Sequence, residues 1–429
     1  MPEKHYSWEH GEVPYIDPHS LAKHRILRRY IEIYVEVLMS DPRRERLALT
    51  LVDGFAGGGL YRQRISNELH PGSPLILLDA VPAAQARVNE TRRKQATVEA
   101  EFIFVEKQPA TAEHLRRALA THVAPEQVQG KSITICTGSF EDEIASILAR
   151  IRERGRAPRA IFLLDQYGYS DVSLPTVQRI FETLPNAEIF MTLAVGWISA
   201  YLHHAREAFE RLSTRMGITC PVSEEEIEAL YLRADDESRR KRLLVQRILY
   251  EAFARSAGAK FFTPFFIVSR ESHRPYWFLH LANNWRANDE VKKLHWSLEN
   301  HFEHYGGPGM DMILGYDPQR DSDLKGQRAF DFGSDAQRRT KSALRDELPR
   351  RIAEHYRDGV TVRRLFEETS NEMPATQCML AEVLTELVSV GELHKVGSEG
   401  EARRPSTLAQ PDDVISPSRQ RSFPFIKKS

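Results

Sequence analysis

The feature that most narrows the fold is an alternation running from residue 47 to residue 197. Short apolar, β-branched runs, "LALTLVD", "AEFIFVE", "SITICTG", "AIFLLDQYG" and "AEIFMTLAVGW", take turns with helical patterns. The helical stretches are "PLILLDAVPAAQARVNETRRKQ", "ATAEHLRRALATHV", "EDEIASILARIRERG" and "SLPTVQRIFETL". Strands apolar on both faces need cover on both faces, and helices crossing between parallel strands supply it. The pattern therefore predicts an α/β protein built on a parallel sheet.

The flanking segments complete the layout. "SLAKHRILRRYIEIYVEVLMSD" spaces Leu21, Ile26, Leu27, Tyr30, Ile31, Tyr34, Val35 and Leu38 by threes and fours, which predicts an amphipathic helix capped by Ser20 and closed at Asp41-Pro42. Residues 200–258 interrupt the alternation with charged helical segments and are read as an insertion. "KFFTPFFIVSR" and "PYWFLHLANN" then form a hairpin that finishes the sheet of a first domain, residues 1–304. Residues 305–340, rich in Gly, Asp and Arg, read as a linker. Three helical patterns and the segment "ELHKVGSEGEARRPSTLAQ", taken as a hairpin, make residues 341–410 a winged helix-turn-helix. The tail, 411–429, is expected to be disordered.

Composition removes several function classes. No apolar run approaches the ~20 residues of a membrane span, and the N-terminus carries no apolar signal region; a cytoplasmic protein is expected. Cys136, Cys220 and Cys378 lie too far apart in sequence for a disulfide framework or a compact thiolate zinc site, and are read as reduced and buried. With 59 Lys and Arg against 60 Asp and Glu, any nucleic-acid contact must come from local patches.

The most informative stretch is "LALTLVDGFAGGGLYRQ", residues 47–63. A buried strand ends at Asp53, and Gly54, Phe55, Ala56, Gly57 and Gly59 make the turn behind it. Such a turn lets the backbone approach a ligand closely. Arg62 stands where a dinucleotide fingerprint needs its third glycine, and no Gly-Lys-Ser/Thr follows, so the ligand need not carry phosphate. An acid at a strand tip suits a cationic, polyhydroxylated ligand, and S-adenosylmethionine is both. The next strand tip supplies Glu106, with Lys107 beside it, for the ribose hydroxyls. A third, "SITICTGSFED", offers Ser139 and Phe140 for the adenine edge and face. A glycine turn that serves packing alone remains the alternative.

"KHRILRRYIEIY", "TLVDGFAGGGLY" with "GSPLILLDA" downstream, "FLLDQYG" and "YWFLHLANNWRANDEVKKLHW" resemble the three-Cys-motif partner protein (TcmP) family. The resemblance covers roughly residues 18–300 and, for the winged helix, 340–408. It implies a bacterial, Rossmann-like class I methyltransferase sheet, a C-terminal winged helix and a separate partner protein bearing three clustered cysteines. The scattered cysteines here agree that this chain is the partner's counterpart.

The fourth strand ends "AIFLLDQYGYSD", where methyltransferases acting on base amino groups carry an Asp/Asn-Pro-Pro-aromatic turn. Asp165 and Tyr167 stand where an oxygen would accept from the target amine and an aromatic would stack on an extruded base. Gln166 departs from the proline that fixes such a turn. The leading expectation is S-adenosylmethionine-dependent methylation of a nucleic-acid base, with Asp165, Gln166 and Tyr167 addressing the acceptor. The alternatives are a catalytically silent adaptor and, more remotely, a metal-dependent nuclease, for which no carboxylate set is evident. His295, His301 and His304 read as solvated helix surface, and no metal is expected. On the third helix of the winged module Gln377, Glu382, Thr385 and Glu386 read as outward-facing. Arg363, Arg364, Lys395, Arg403 and Arg404 are candidates for phosphate contact.

Overall fold

Strand β1, Arg46–Asp53, is buried from Leu49 to Asp53 and has a parallel neighbour on each side, one formed by Thr97–Glu106 and the other by Ala160–Leu164. The computed structural model describes Trp8 and residues 12–123, 132–166 and 171–193. It further describes Thr214, Met216, Gly217, Leu249, and residues 252–268, 275–298, 302–303, 309–310 and 334–418. Nearly all of the expected insertion, with Tyr167, Cys220, His301 and His304, lies outside these residues. The chain divides into two units, Met1–His304 and Tyr305–Ser429.

In the first unit, helix α1 (Pro18–Leu38) precedes β1. A short hairpin follows, β2 (Leu60–Arg62) with β3 (Leu69–Pro71), and then α2 (Ser73–Glu90), β4 (Thr97–Glu106), α3 (Pro109–His122) and β5 (Ile133–Thr137). Next come α4 (Phe140–Arg152), β6 (Ala160–Leu164), α5 (Leu174–Thr183) and β7 (Ala187–Leu193). Beyond the insertion lie β8 (Phe261–Val268), β9 (Pro275–Ala282), α6 (Trp285–Ser297) and β10 (Phe302–Glu303). The sheet order is β10-β8-β9-β7-β6-β1-β4-β5. Strands β5, β4, β1, β6 and β7 are parallel, and β9 enters antiparallel to β7, with β8 paired to it as the expected hairpin. This is the Rossmann-like α/β sheet anticipated from the sequence, with an antiparallel hairpin added at one side.

Every residue of β6 and β7 is buried, so both faces of the sheet are covered. Helix α1 packs on α2 and α6, and α4 packs on α5. Each Leu or Phe sealed between these layers contributes about 1.5–3 kcal/mol. Helix α1 begins earlier than its Ser20 reading: Asp17 occupies the cap position and Pro18 the first turn, where a missing N–H costs nothing. Strand order reverses at β1, since β4 and β5 extend one way and β6 and β7 the other. In open α/β sheets that reversal leaves a crevice at the carboxyl ends.

The second unit holds α7 (Ser334–His355), β11 (Val360–Thr361), α8 (Val362–Thr369), α9 (Gln377–Ser389), β12 (Leu393–Val396) and β13 (Val414–Pro417). Thr361 and Thr376 cap α8 and α9 by accepting from Arg364 N and Met379 N. Two expectations are corrected here. Helix α7 starts at Ser334, inside the expected linker. Strand β12 pairs with β13, inside the expected disordered tail, and not with the segment directly after it, which makes only a Val396–Ala402 bridge. The physical reason is burial: Ile415 is sealed between β11 and β12, whereas residues 401–408 are exposed.

Candidate functional site

Three strand tips meet at the crevice, and their acids are electrostatically coupled. Asp53, fully buried, accepts from Phe55 N at 3.1 Å through Oδ1, while its buried Oδ2 has no hydrogen-bond partner. Burial drives this carboxyl up to about 7. The Ser73 hydroxyl and Phe55 N–H pull the other way, and the Asp165 and Glu106 charges raise it further. Glu106, at the tip of β4, accepts from Gly57 N at 3.0 Å and from Gln108 N at 2.8 Å. Burial raises this carboxyl too, against the amides of Gln108, Gly57 and Lys107. Asp53 and Glu106 thus grip one glycine turn from two strands.

The turn is held close on every side. Gly57 has a φ of 60° and Gly59 of 82°, conformations that cost an L-residue about 1–2 kcal/mol. A Cβ on Gly54 would come within 2.8 Å of Leu164 and 2.9 Å of Phe140, and one on Gly58 would lie 2.5 Å from the Trp8 indole. The Trp8 Nε1–H donates to Leu60 O at 2.9 Å, and its ring meets Tyr61 edge-on. The glycines therefore serve packing as well as any ligand, because Trp8 rests on the Gly57–Gly58 face.

Two cofactor residues need correction. Ser139 caps α4: its hydroxyl accepts from Asp142 N and donates to the Asp142 carboxylate at 2.5 Å, so it has little left for an adenine edge. Phe140 is buried among Phe55, Phe162 and Gly54 and offers no open face, because the first residue of α4 points into the layer beneath the turn. Phe55 is the partly exposed aromatic at this edge. Ala56 is buried, its N–H donating to Val105 O at 2.9 Å, and Lys107 is exposed.

At the tip of β6, Asp165 is already engaged. Lys23 Nζ, from α1, donates to both carboxylate oxygens at 2.5 Å. Burial opposes ionisation of Asp165, yet the Lys23 ammonium outweighs it and holds the carboxyl below its ordinary range. His24 stacks on His70 of β3, with 3.2 Å between Nδ1 and Nε2. Burial, then Lys23 and His70, bring His24 down to about 3, against the pull of Asp165. Gln166 is turned into the protein. It is 1% exposed, its Oε1 accepts from Asp171 N at 3.0 Å and Val172 N at 3.2 Å, and its Nε2 is buried without a partner. A side-chain amide thus ties the tip of β6 to Asp171 and Val172, at the position where the expected turn carries proline. Lys23, His24, Tyr61, His70 and Trp8 were not anticipated as site residues. Lys23 carried a signal, because it lies on the apolar stripe of α1, three, four and seven residues before Ile26, Leu27 and Tyr30.

Other expectations resolve away from this edge. His295 is buried, not solvated, and no group of three or more His, Cys, Asp or Glu is placed to hold a metal among the described residues. Cys378 is exposed and Cys136 partly buried, neither sealed as expected. On α9, Glu382 and Glu386 pair with Lys341 and Arg345 of α7 at 2.6 and 2.5 Å, and Thr385 accepts from Ala409 N. Arg363 pairs with Asp412, Arg364 with Glu368, and Arg403 with Glu401 and Asp413. Lys395 is buried and donates to Thr407 O. Of the five expected phosphate contacts, Arg404 alone is exposed without an ion pair among the described residues. No described helix is long and apolar enough to cross a membrane.

Residues 315–400 match the family described as the GMT-like wHTH domain. No curated protein matches the chain. Among solved structures, a protein of Legionella pneumophila aligns with 67% of this chain and 93% of its own, at 11% identity and a TM-score of 0.38. An O-methyltransferase of Bacillus cereus in complex with SAH covers 63% and 84%, at 13% and 0.29. Trm1 of Pyrococcus horikoshii with S-adenosyl-L-methionine covers 66% and 61%, at 14% and 0.27. The fold assignment rests on the strand ladders above and not on these likenesses.

Proposed function

We propose that the first unit binds S-adenosylmethionine at the tips of β1 and β4 and directs its methyl group to a nucleic-acid base, in a chain that works beside a three-cysteine protein. The observation that carries the donor site is Asp53, whose Oδ2 is buried without a hydrogen-bond partner beside the glycine turn. A buried carboxyl with one oxygen left unsatisfied is costly, and a donor amino or hydroxyl group would satisfy it. Glu106, one strand away, can receive ribose hydroxyls, and Gly54, Phe55, Ala56, Gly57, Gly59 and Lys107 border the same edge. Ser139 acts through the cap of α4 and Phe140 through the packing beneath the turn.

When bound, the cofactor supplies an electrophilic methyl on a sulfonium. The chain's own contribution is orientation: Asp165 accepts from an acceptor N–H on its free lone pairs while Lys23 holds the carboxylate in place, and Tyr167 follows directly in sequence. Aligning the acceptor behind the methyl lowers the barrier by proximity, without an acid-base pair. The Trp8 indole must shift or share the Gly57–Gly58 face for the donor to settle.

A specific observation favours a second reading, a catalytically silent adaptor. Asp165 is occupied by Lys23, and Gln166 is spent on its own loop. Thermal denaturation with S-adenosylmethionine and its demethylated product tests the donor site, since a ligand that binds only the folded state raises the melting temperature. An unchanged melting temperature with both would remove it. Tritiated-methyl transfer to mixed nucleic acids then separates the readings: the enzyme labels its acceptor and Asp165→Ala does not, whereas an adaptor binds donor and transfers nothing.

A further inference from the structure

The connections that enter β1, β4 and β6, residues 39–45, 91–96 and 153–159, all emerge at the amino ends of adjacent parallel strands, the edge opposite the candidate donor site. Together they hold eight Lys and Arg against three Asp and Glu, in a chain whose overall charge is −1. Three cavities of about 590, 420 and 310 Å³ open along this edge. Ser40 borders the first two, and Arg44 and Arg159 border the second and third, so the three form one trough.

Six of these eight cations are not spent on carboxylates among the described residues; Lys94 pairs with Glu45 and Arg154 with Glu101. Arg43, Arg44, Arg93, Arg156 and Arg159 make no ion pair among the described residues, and Arg92 donates to the backbone carbonyls of Met39, Asp41 and Arg44. By contrast, four of the five basic residues expected to touch phosphate from the winged helix are paired or buried within that unit. Guanidinium groups match phosphate oxygens in geometry as well as charge. A concave run of them suits a chain of phosphates better than a lipid surface, which also wants exposed apolar anchors.

We propose that this trough binds the phosphate backbone of a nucleic-acid strand, and that it, not the winged helix, supplies most of the chain's electrostatic affinity for nucleic acid. The surface is independent of the methyl-donor reading. Its test contains no donor, so the failure of either leaves the other standing.

The assay is fluorescence anisotropy of a labelled single-stranded oligonucleotide of about 20 nucleotides with the full chain, from about 50 to 200 mM salt, where phosphate contacts set the slope. Arg44→Gln, Arg93→Gln and Arg156→Gln combined remove three exposed, unpaired charges. The expected result is at least a tenfold loss of affinity at low salt and a log–log salt slope shallower by roughly 2, from about 0.7 per contact. Arg363→Gln with Arg404→Gln should leave both nearly unchanged. Tryptophan-monitored melting confirms that the triple variant is folded. Unchanged affinity and slope in the triple variant, or a loss confined to the winged-helix variant, overturns the proposal. So does a wild-type chain that binds anionic phospholipid vesicles and not the oligonucleotide.

Discussion

Asp53 gives the sharpest test of the site, because its protonation is tied to both stability and ligand binding. Its carboxyl shifts from 3.8 to about 7 on folding, chiefly through burial. The folded state therefore holds the proton more tightly than the unfolded chain. The associated stability is fully present below pH ~4 and is lost as pH rises to about 7, at about 1.4 kcal/mol per pH unit and about 4 kcal/mol in total as an upper bound. Asp53→Asn keeps the shape and has no charge to bury. Relative to wild type it should gain stability steadily between pH 4 and 7 and then level off. All five tryptophans, Trp8, Trp197, Trp277, Trp285 and Trp296, lie in the first unit, so their fluorescence during urea unfolding follows that unit alone. A stability difference that is flat from pH 5 to pH 8, or that falls with pH, refutes the assignment of a strained carboxyl here. The same proton governs the donor: if ionised Asp53 receives its amino group, affinity falls about tenfold per pH unit below 7, and calorimetry in buffers of different ionisation enthalpy records proton release at pH 6.

Three further outcomes are expected. Lys23→Met leaves Asp165 without its cation, lowers stability at pH 7 by about 2–4 kcal/mol, and is rescued by Asp165→Asn, which equilibrium unfolding measures directly. Because the Asp165 carboxyl is depressed in the fold, the wild-type contribution is present above the unfolded carboxylate range and disappears as pH falls through the folded value. Gln166→Ala strips the partner from Asp171 N and Val172 N and costs about 2 kcal/mol in urea unfolding, with faster amide exchange at those two positions. Gly58→Ala drives a methyl into the Trp8 indole and costs about 1–3 kcal/mol; in the Trp8→Ala background the cost should largely vanish, and full additivity in that cycle would deny the contact.

What the sequence reveals of this molecule follows the range of the forces involved. The strands β1, β4, β6 and β7 are legible because burial on both faces writes a continuous apolar run, and their carboxyl-terminal acids mark Asp53 and Glu106 as tips. Phe140 misleads because a residue that opens a helix after a strand can face the crevice or the layer beneath it, and only the position of Gly54 decides. The Lys23–Asp165 pair spans 142 residues of sequence, so nothing local announces it beyond a cation on an apolar stripe. Strand β13 is only four residues long and ends in Pro417. Its partner β12 lies before an exposed, charged loop, so local pattern favours the wrong hairpin. Gln166 reads as a lost proline, whereas its amide does the restraining by a different means.

The charges at the carboxyl edge constrain the functional readings further. The Asp165 and Glu106 charges raise the proton affinity of Asp53, all three raise that of Tyr61, and Lys23 is bound by Asp165. Lys23 neutralises Asp165, while Glu106 is met by backbone amides and Asp53 by the Phe55 amide and the Ser73 hydroxyl, which do not offset its burial. The remaining electrostatic deficit therefore sits at Asp53, next to the glycine turn. A neutral ligand would leave that deficit in place, whereas one carrying an ammonium or sulfonium would remove it; under the proposed function, the donor's cation would then lie at β1 and the β6 tip would be left to orient the acceptor. An adaptor that had abandoned the donor would gain stability by replacing Asp53 with a neutral residue, up to the ~4 kcal/mol of the burial shift. An ionisable, half-satisfied carboxyl at the centre of the sheet costs the fold stability, and a bound cation would offset that cost.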